Sequence, residues 1–568
     1  MAESLLFFGG TIVTCDDSTP GADSVLVTDG RIAAMGTEPW LRSVAHAHDV
    51  VEIDLAGAAL LPGFIDAHHH FLWAALDRRG PNLRALPPNT GIDEVLAAVA
   101  TQAAETPGDG WVRLFGYSPI TLRERRHPTR RELDAACPDR PLLVAAHGWH
   151  SGALNSAAFD AMGWLPPVRP PQHGRIPLER NGLPRGEVFE AALYLAEAAS
   201  RGSLTVDAVE AWLAEAHAHA LDLAAAGITR IGDAAVAPEF DALYERAVAA
   251  DLLPITVHRM PIGGRTLLQP RTSGPATGSG PARSPVGAAK LFLDGGESCA
   301  VCLSVGDLVR VARAVLGRAV SGAGLAAIRA VTQGESVRPG LDLRFHRGTL
   351  FWEQPRLEAT IADAAEHGLQ VAQHAFGNEA IEQACRALDR VRARLDPLPG
   401  RPRLEHTVFC EPPLAARIAD LGAIAVVSPI WLDDLSAAFE PVPPLPNLGP
   451  IPLRTLTAAG VTLAGCSDYP SAGYQVLPAL QAAATRRAAD GTVHAPGEAI
   501  TVTQALRAYT MGSAAALGVA DIAGSLTVGK TADLVVLDRD PLTTHPAELS
   551  RIQVLRTFVG GTQVYSPE

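Results

Sequence analysis

A helix, a glycine and a short apolar strand follow one another four times in the middle of the chain, and this alternation narrows the possible folds more than any other feature. The glycines between helix and strand are Gly227, Gly368, Gly422 and Gly460. Glycine ends a helix at this position because it adopts the left-handed backbone conformation without a steric penalty. Apolar strands that alternate with helices predict a parallel sheet covered by crossover helices.

Over residues 58–514 the most economical form of such a sheet is a closed (β/α)8 barrel of the α/β class. We expect loop insertions in it near residues 264–287, 300–345 and 440–452. An open doubly wound sheet is the alternative fold. No GxGxxG or GxxxxGK[ST] motif follows a first strand, so the usual dinucleotide and P-loop sites are not expected.

Both ends of the chain consist of short strand patterns joined by turns. Residues 1–57 contain the hairpin signal Asp29-Gly30, and residues 515–568 repeat the same style. Each end is too small to fold alone. We therefore expect the two ends to pair into one small β-sandwich domain.

The composition is that of a globular chain without an affinity for polyanions. Of 568 residues, 47% are hydrophobic and 19% are charged, and the formal net charge is −14 with no basic block. These values exclude general disorder and disfavour nucleic acid as a partner. Seven scattered cysteines fit free thiols in a reducing compartment, so a cytoplasmic location is expected. No export signal and no membrane span are expected either.

The segment from Leu60 to His70 ends an apolar strand with three consecutive histidines. Alternate residues of a strand face the same side, so His68 and His70 project together while His69 faces away. Two imidazoles on one face are a ready chelate for a divalent metal ion. A chance cluster of histidines is the alternative, and the strand context disfavours it.

Four more reactive side chains stand where apolar strands end. They are Lys290, His374, His406 and Asp468. At the carboxyl ends of barrel strands such side chains converge on one mouth. An ammonium group cannot ligate a metal, but a lysine with a lowered pKa can react with CO₂ to form a carbamate that bridges two ions. The alternative for Lys290 is an ordinary salt bridge to Asp294 or Asp468.

These segments stand in an order that is typical of one hydrolase family. The motifs are PGFIDAHHH at 62–70, AAHGWHSGALNS around His150, GITRIGD at 227–233, AAKLFLDGG at 288–296, VAQHAFGNEAI at 371–381, RLEH at 403–406, CSDYP at 466–470 and GSLTVGKTADLVVLD at 524–538. Through them the chain resembles the amidohydrolase superfamily, and within it the YtcJ-like branch (amidohydrolase family 3), over nearly its whole length.

The resemblance implies a metal-filled barrel and a role for each strand-end residue. The implied ligands are His68, His70, Lys290 as a carboxylated bridge, His374, His406 and Asp468. Asp468 would also be the general base, and His150 would stabilise the developing oxyanion. One or two Zn²⁺ ions are expected as cofactors, with another divalent metal as the alternative.

The resemblance predicts a metal-dependent amidohydrolase that cleaves a C–N bond of a small molecule, such as an amide or formamide, through a metal-activated water. Ring deamination or non-hydrolytic lyase chemistry is the alternative reaction on such a barrel. A non-catalytic scaffold is a third hypothesis, but a scaffold has no physical need for this set of residues. The oligomeric state stays open, with a homodimer as one candidate.

Two departures from the family pattern concern the substrate pocket. Asp294-Gly295-Gly296 replaces the usual DGS, and a proline-rich stretch at 441–452 replaces an arginine- and aromatic-rich run. The substrate of a relative can therefore not be transferred directly.

Other conspicuous residues have ordinary explanations as well. Cys299 and Cys302 form a CxxC pair without a second pair at zinc spacing, so ordinary thiols are favoured. Two roles remain possible for the aromatic residues near the predicted site, which are to line an aromatic pocket or to pack in the core; these residues are Trp73, Trp149, Trp431 and Tyr469.

Overall fold

A computed structural model of the chain describes all residues except 1–3, 17–20, 46–49, 88, 202–205, 319–336, 341, 440–444, 446–447 and 568. Parts of the predicted insertions at 300–345 and 440–452 thus lie outside the described residues. The strands are β1 (Ser4–Phe8), β2 (Thr11–Ile12), β3 (Ser24–Thr28), β4 (Arg31–Gly36), β5 (Val50–Asp54), β6 (Ala59–Pro62), β7 (Phe64–His69), β8 (Val112–Tyr117), β9 (Leu142–Ala146), β10 (Ser151–Leu154), β11 (Gly174–Arg175), β12 (Glu187–Glu190), β13 (Ile228–Val236), β14 (Thr256–Pro261), β15 (Ala289–Phe292), β16 (Val301–Leu303), β17 (Arg338–Pro339), β18 (Phe345–Arg347), β19 (Val371–Ala375), β20 (Arg403–His406), β21 (Ile424–Val427), β22 (Thr462–Gly465), β23 (Leu534–Leu537), β24 (Val554–Val559) and β25 (Thr562–Tyr565).

The α-helices span Glu38–Ala45, Phe71–Asp77, Ile92–Glu105, Arg130–Ala136, Ser156–Ala161, Ala191–Arg201, Val206–Ala225, Asp241–Ala249, Val305–Arg318, Gln354–Glu366, Asn378–Arg392, Pro412–Asp420, Trp431–Asp434, Ser436–Phe439, Leu453–Ala458, Val476–Thr485, Val502–Arg507 and Ser513–Ala516. In the described part of the chain, none of these helices combines the length and the apolar character that a membrane span needs. All seven cysteines are free and buried.

The four helix–glycine–strand units that the sequence predicts are present. Helix Val206–Ala225 is followed by Gly227, whose φ of +80° turns the chain into β13. Gly368, with a φ of +75°, stands in the same way between helix Gln354–Glu366 and β19. A side chain would be strained in this conformation, which explains why glycine marks the end of each helix.

Eight parallel strands form two sheets that meet along their edges. One sheet has the order β14-β13-β7 and the other the order β15-β19-β20-β21-β22, and every neighbouring pair is parallel. Beyond β22 the Asp468 N–H donates to the His68 carbonyl of β7 at 2.9 Å. A parallel bridge joins Arg259 of β14 to Val286, just ahead of β15. The carboxyl ends of the two sheets therefore meet at one place.

Strands from both ends of the chain share a sheet. The five-stranded sheet has the order β2-β6-β23-β24-β25, and a four-stranded sheet has the order β4-β3-β1-β5. Side chains of both sheets join one apolar cluster, in which the rings of Phe7 and Phe558 meet edge to face with centroids 5.2 Å apart. Strand β6, which leads into β7, pairs with β23, so the first parallel strand begins directly at this sheet.

A mixed five-stranded sheet lies between β7 and β13 in the chain, and the sequence analysis does not predict it. Its order is β11-β12-β10-β9-β8, with one parallel and three antiparallel pairs. In this segment no helix leads through a single glycine directly into a strand, which is the pattern that marks β13, β19, β21 and β22. The sheet bears on the site because His150 lies between β9 and β10 and Glu190 ends β12.

A buried ion pair joins the parallel strands to the C-terminal segment. Arg230 of β13 donates through Nε to Oδ2 of Asp533 at 2.7 Å, and both side chains are buried. Oδ1 of Asp533 accepts from the Gly560 N–H, and its carbonyl accepts from the Gly63 N–H, each at 2.8 Å. Asp533 thus ties together three segments that are distant in sequence.

Asp533→Ala should destabilise the fold strongly, because it leaves the Arg230 guanidinium buried without a counter-charge. Removing one partner of a buried pair costs about 3–5 kcal/mol. The measurement is the urea concentration at which the near-ultraviolet circular dichroism is lost. Arg246→Ala, which breaks the exposed pair of Arg246 with Glu210, is the control and should cost less than about 1 kcal/mol. Equal effects of the two changes would contradict a structural role for Asp533.

Candidate metal centre

His68, His70 and Asp468 meet where β7 and β22 end. The Nε2 atoms of His68 and His70 lie 3.3 and 3.2 Å from Oδ1 of Asp468. One ligand atom from each of the three residues lies within 4.8 Å of the other two. The Nδ1 atom of His70 is 3.0 Å from the Ala234 carbonyl, which fixes the ring orientation. The fold thus brings together three predicted ligands, one of which lies about 400 residues from the other two in the sequence.

His374 and His406 extend this group across the neighbouring strands. The His406 ring lies between the other two, with its centroid 4.8 Å from those of His68 and His374. All three rings are buried. Burial lowers the pKa of His68 to about 4, and it also lowers the pKa values of His374 and His406. The imidazoles are therefore neutral at physiological pH, which is the form that ligates metal ions.

Lys290 lies in the same group and is fully buried. Burial lowers the pKa of its amine to about 8, against the opposing charges of Glu405 and Asp468. Among the described residues its Nζ has no hydrogen-bond partner and no ion pair, so the ordinary salt bridge to Asp294 or Asp468 is not formed. Nζ lies 4.8 Å from the centroid of the Phe292 ring.

Two further carboxylates hold the histidines in place: Glu405, which the sequence patterns did not single out, and Asp294, which they offered only as a salt-bridge partner of Lys290. Glu405 is fully buried, and its Oε2 accepts from Nδ1 of His68 in a short hydrogen bond. Asp294 is also fully buried, and its Oδ1 lies 3.1 Å from Nδ1 of His374. In both cases the carboxylate occupies Nδ1 and leaves Nε2 for another partner. The group therefore contains three carboxylates, Asp468, Glu405 and Asp294.

Glu405 is itself held by a buried arginine. Arg403 donates to it through Nε at 2.9 Å and through Nη2 at 3.0 Å, and Nη2 also donates to the Ala67 carbonyl. Burial raises the pKa of Glu405, but Arg403 and His68 outweigh this effect and hold the pKa well below its usual range. The sequence carried one signal for this pair, a charged residue at both i and i+2 of a short buried strand.

His150 approaches the same place from the inserted sheet. Its ring centroid lies 5.5 Å from that of His374. Its Nδ1 accepts from the Gly296 N–H at 2.9 Å, and it also lies 2.8 Å from Oε2 of Glu190 and 2.8 Å from the Tyr194 hydroxyl. Burial lowers the pKa of His150, but the charge of Glu190 outweighs it, so the pKa is raised above its usual value. Among the described residues Nε2 makes no hydrogen bond and remains free to donate.

The backbone is strained at several of these positions. Non-glycine residues with a left-handed φ include His406 (+73°), Asp468 (+55°), Glu190 (+49°) and Trp149 (+58°). Such a conformation costs about 1–3 kcal/mol per residue and persists only where the surroundings enforce it. At His406 and Asp468 the surroundings that enforce this conformation are the contacts of the group itself.

The predicted aromatic residues divide into two kinds. Trp431 stacks on His406 with centroids 5.1 Å apart, and Tyr469 stacks on His69 at 5.2 Å. Trp73 and Trp149 meet each other edge to face at 5.0 Å and pack against the main apolar core. The first pair borders the site, whereas the second pair is part of the packing around it.

The donor atoms fit a divalent metal ion. Several buried atoms of the group have no hydrogen-bond partner among the described residues; they are Nε2 of His68, Nζ of Lys290, Nε2 of His374 and Nδ1 of His406. Buried polar atoms without a partner are costly and uncommon in native proteins. Neutral imidazole nitrogens beside a carboxylate are ligands that Zn²⁺ prefers.

Comparison with known proteins gives a consistent result. A family model described as "Amidohydrolase family" matches residues 51–565. N-substituted formamide deformylase from Arthrobacter pascens is 31% identical over 99% of this chain and 98% of its own length. Putative amidohydrolase YtcJ from Bacillus subtilis (strain 168) is 26% identical over 99% of each chain. A crystal structure of an uncharacterized metal-dependent hydrolase from Pyrococcus horikoshii OT3 shares the fold, with a TM-score of 0.68 and 19% identity over 96% of this chain and 99% of that one.

Glu405→Gln should weaken metal binding by about 10- to 100-fold, because the amide cannot hold both His68 and Arg403 as the carboxylate does. The affinity is measured by competition with a chelator of known strength. Glu382→Gln, at a half-buried ion pair with Arg417, is the matched control and should leave the affinity unchanged. A folded Glu405→Gln protein with unaltered metal affinity would show that His68 is positioned by other contacts.

Proposed function

The chain belongs to the amidohydrolase family, and the relatives named above align with it over nearly their whole length. It is a hydrolase that acts on C–N bonds other than peptide bonds. From this premise we propose that it cleaves an amide or formamide bond of a small molecule with the help of divalent metal at the carboxyl ends of its parallel strands. The observation that carries the proposal is the set of buried, unpartnered donor atoms on His68, Lys290, His374 and His406 beside Asp468.

We propose Zn²⁺, as one or two ions, held by His68, His70, His374, His406, Asp468 and a carboxylated Lys290. Bound there, the metal would act as a Lewis acid that lowers the pKa of water and polarises the substrate carbonyl. The neutral state of the buried imidazoles and the carboxylate at Asp468 support this assignment. Glu405 and Asp294 would hold two of the rings in their ligating orientation.

Lys290 reaches its proposed role by reaction with CO₂. Its neutral amine nitrogen attacks the carbon of CO₂, a new N–C bond forms, and the nitrogen loses one proton to solvent. The product is a carbamate with one negative charge and two oxygen donors. Burial supports this step, because a pKa of about 8 leaves part of the amine neutral near pH 7. The change also replaces a buried positive charge beside three histidines by a negative one.

Asp468 is the proposed general base. Burial raises its pKa, but the hydrogen bond from His70 and the nearby charges outweigh this effect and lower the pKa to about 2. It is therefore a carboxylate at physiological pH. In the proposed reaction it accepts a proton from the attacking water and passes that proton to the nitrogen of the leaving amine.

His150 is the proposed donor to the developing oxyanion. Nδ1 of its ring accepts from the Gly296 N–H, so the proton of the neutral ring stands on Nε2, which can donate to substrate. A positioned donor of this kind stabilises the negative charge that forms on the carbonyl oxygen. The inserted sheet would then complete the site that the parallel strands begin.

The finer architecture is part of the same proposal. We infer that the eight parallel strands close into one (β/α)8 barrel, and that the two terminal segments form a β-sandwich domain beside it. The contacts between β22 and β7 and the cluster shared by the two terminal sheets support this arrangement. The seven free cysteines support a reducing, cytoplasmic location.

Asp468→Asn should lower turnover by about 10²- to 10⁴-fold, because the amide cannot accept the proton from water. Single-turnover rates on a panel of N-formyl and N-acetyl amines, with the released amine quantified, provide the measurement. Metal content is determined on the same samples. Asp389→Asn is the matched control and should turn over normally, since Asp389 is exposed and pairs with Arg417 away from the proposed ligand set.

Normal turnover of the Asp468→Asn protein with its metal retained would move the general base to another group, with His150 as the first candidate. The absence of amine release from every member of the panel by metal-loaded wild-type protein would contradict the proposed substrate class.

Lys290→Arg should remove the second metal ion, because arginine keeps the positive charge and forms no carbamate. The sequence has only two lysines, so Lys530→Arg is a matched control. Metal ions per chain are counted by mass spectrometry, and a carbamate carbon is sought by ¹³C NMR after exposure to labelled bicarbonate. The wild-type and Lys530→Arg proteins should show the signal, and the Lys290→Arg protein should lack it. Full metal content in Lys290→Arg would contradict the bridge.

A further inference from the structure

The segment after β15 leaves the parallel strands and forms a small sheet of its own. Its order is β16-β18-β17, and both pairs are antiparallel. Cys302 of β16 stands directly opposite His346 of β18 in the register. Asn378 fixes the backbone of Cys302 on both sides, since its Oδ1 accepts from the Cys302 N–H and its Nδ2 donates to the Cys302 carbonyl. Opposite residues of a strand pair project on the same face, so the thiol and the imidazole are neighbours.

Asp342 completes a group of three potential ligands. One donor atom each from Cys302, Asp342 and His346 lies within 4.8 Å of the other two. Nε2 of His346 lies 3.2 Å from Oδ1 of Asp342. Cys302 is buried, His346 is half-buried and Asp342 is exposed, so the group opens toward solvent on one side. None of the three belongs to the centre at the ends of the parallel strands.

Glu379 stands behind His346 in the manner of a supporting carboxylate. Its Oε1 lies 3.2 Å from Nδ1 of His346. Nε2 donates to Asp342, so a cation would bind Nε2 in place of that proton while Nδ1–H continues to donate to Glu379. Histidines that bind metal ions commonly donate their other ring nitrogen to a carboxylate in this way.

Gly340 provides the space between the ligands. A Cβ atom at this residue would lie 2.4 Å from Oδ1 of Asp342 and 2.5 Å from Nε2 of His346. Both distances are too short for a real contact. Even the smallest side chain would therefore intrude between the two proposed ligand atoms.

We propose that Cys302, Asp342 and His346 form a second divalent-cation site, distinct from the amidohydrolase centre, that takes Zn²⁺ or a cation of similar softness. A thiolate, an imidazole and a carboxylate suit Zn²⁺ and Co²⁺, whereas Mg²⁺ and Ca²⁺ prefer oxygen ligands alone. Binding displaces to solvent the proton of the Cys302 thiol and the Nε2 proton of His346, and one coordination position is left for water or another ligand.

The cation would fasten the small sheet beside the proposed active site. It would link β16, β18 and the turn at Asp342. The Ala300 N–H, just ahead of β16, donates to Oδ2 of Asp294, whose other oxygen contacts His374. The site would thus steady the segment that leads to the carboxylate behind a proposed ligand of the main centre.

Cobalt spectroscopy tests the proposal, because the residues proposed for the main centre include no cysteine. Protein loaded with Co²⁺ should show a thiolate-to-cobalt charge-transfer band in the near ultraviolet. Cys302→Ser should abolish the band and lower the metal content by one ion per chain. Cys299→Ser removes the other thiol of the CxxC pair, which lies near Arg347, and should leave band and content unchanged.

Gly340→Ala gives a second test that keeps all three ligands. It should abolish the band because its Cβ fills the space between Asp342 and His346. Circular dichroism shows whether each variant is folded. A wild-type protein without a thiolate band, or a band that persists in folded Cys302→Ser protein, would overturn the proposal.

Discussion

The buried carboxylate of Glu405 is the interaction on which the arrangement of the centre depends. It receives two hydrogen bonds from Arg403 and one from His68 in a place without exposure to solvent. Arg403 in turn holds the Ala67 and Ala516 carbonyls, so one ion pair connects β7, β20 and the last helix before the C-terminal segment. A buried charge pair is stabilising only when its remaining donors are satisfied, and here the satisfied donors belong to the strands that carry the histidines.

Burial also determines the protonation states of the other side chains of the centre. Three histidines and a lysine lie close together, and burial lowers the pKa of each of these groups. Neutral imidazoles avoid the mutual repulsion that charged rings would feel, and they keep lone pairs available. The carboxylates of Glu405 and Asp294 occupy the nitrogen of His68 and of His374 that faces away from the group. The centre is therefore prepared for a cation by its protonation state as well as by its geometry.

Much of this could be predicted from the sequence, and the reason is geometric. Gly227 and Gly368 mark helix ends by a local rule, and His374 and His406 end apolar strands that parallel pairing must bring to one edge. The parts that were missed depend on contacts across the fold. The role of Glu405 could not be predicted from the sequence, because it depends on hydrogen bonds from Arg403 and His68 that exist only in the folded structure. The strands of the mixed five-stranded sheet do not follow a helix and a single glycine, so neither this sheet nor the partners of His150 could be predicted from that pattern.

The sharing of one sheet by both ends of the chain has a consequence for synthesis on the ribosome. Strand β6 emerges early, but its antiparallel neighbour β23 follows only after the whole catalytic region has been translated. At ordinary elongation rates this delay is on the order of a minute. During that time an apolar strand edge and the buried position of Arg230 lack the partners that residues after 530 provide. The nascent chain therefore leaves this edge of β6 unpaired until the C-terminal segment has been made, and an unpaired strand edge is the part of a sheet most open to pairing with another chain.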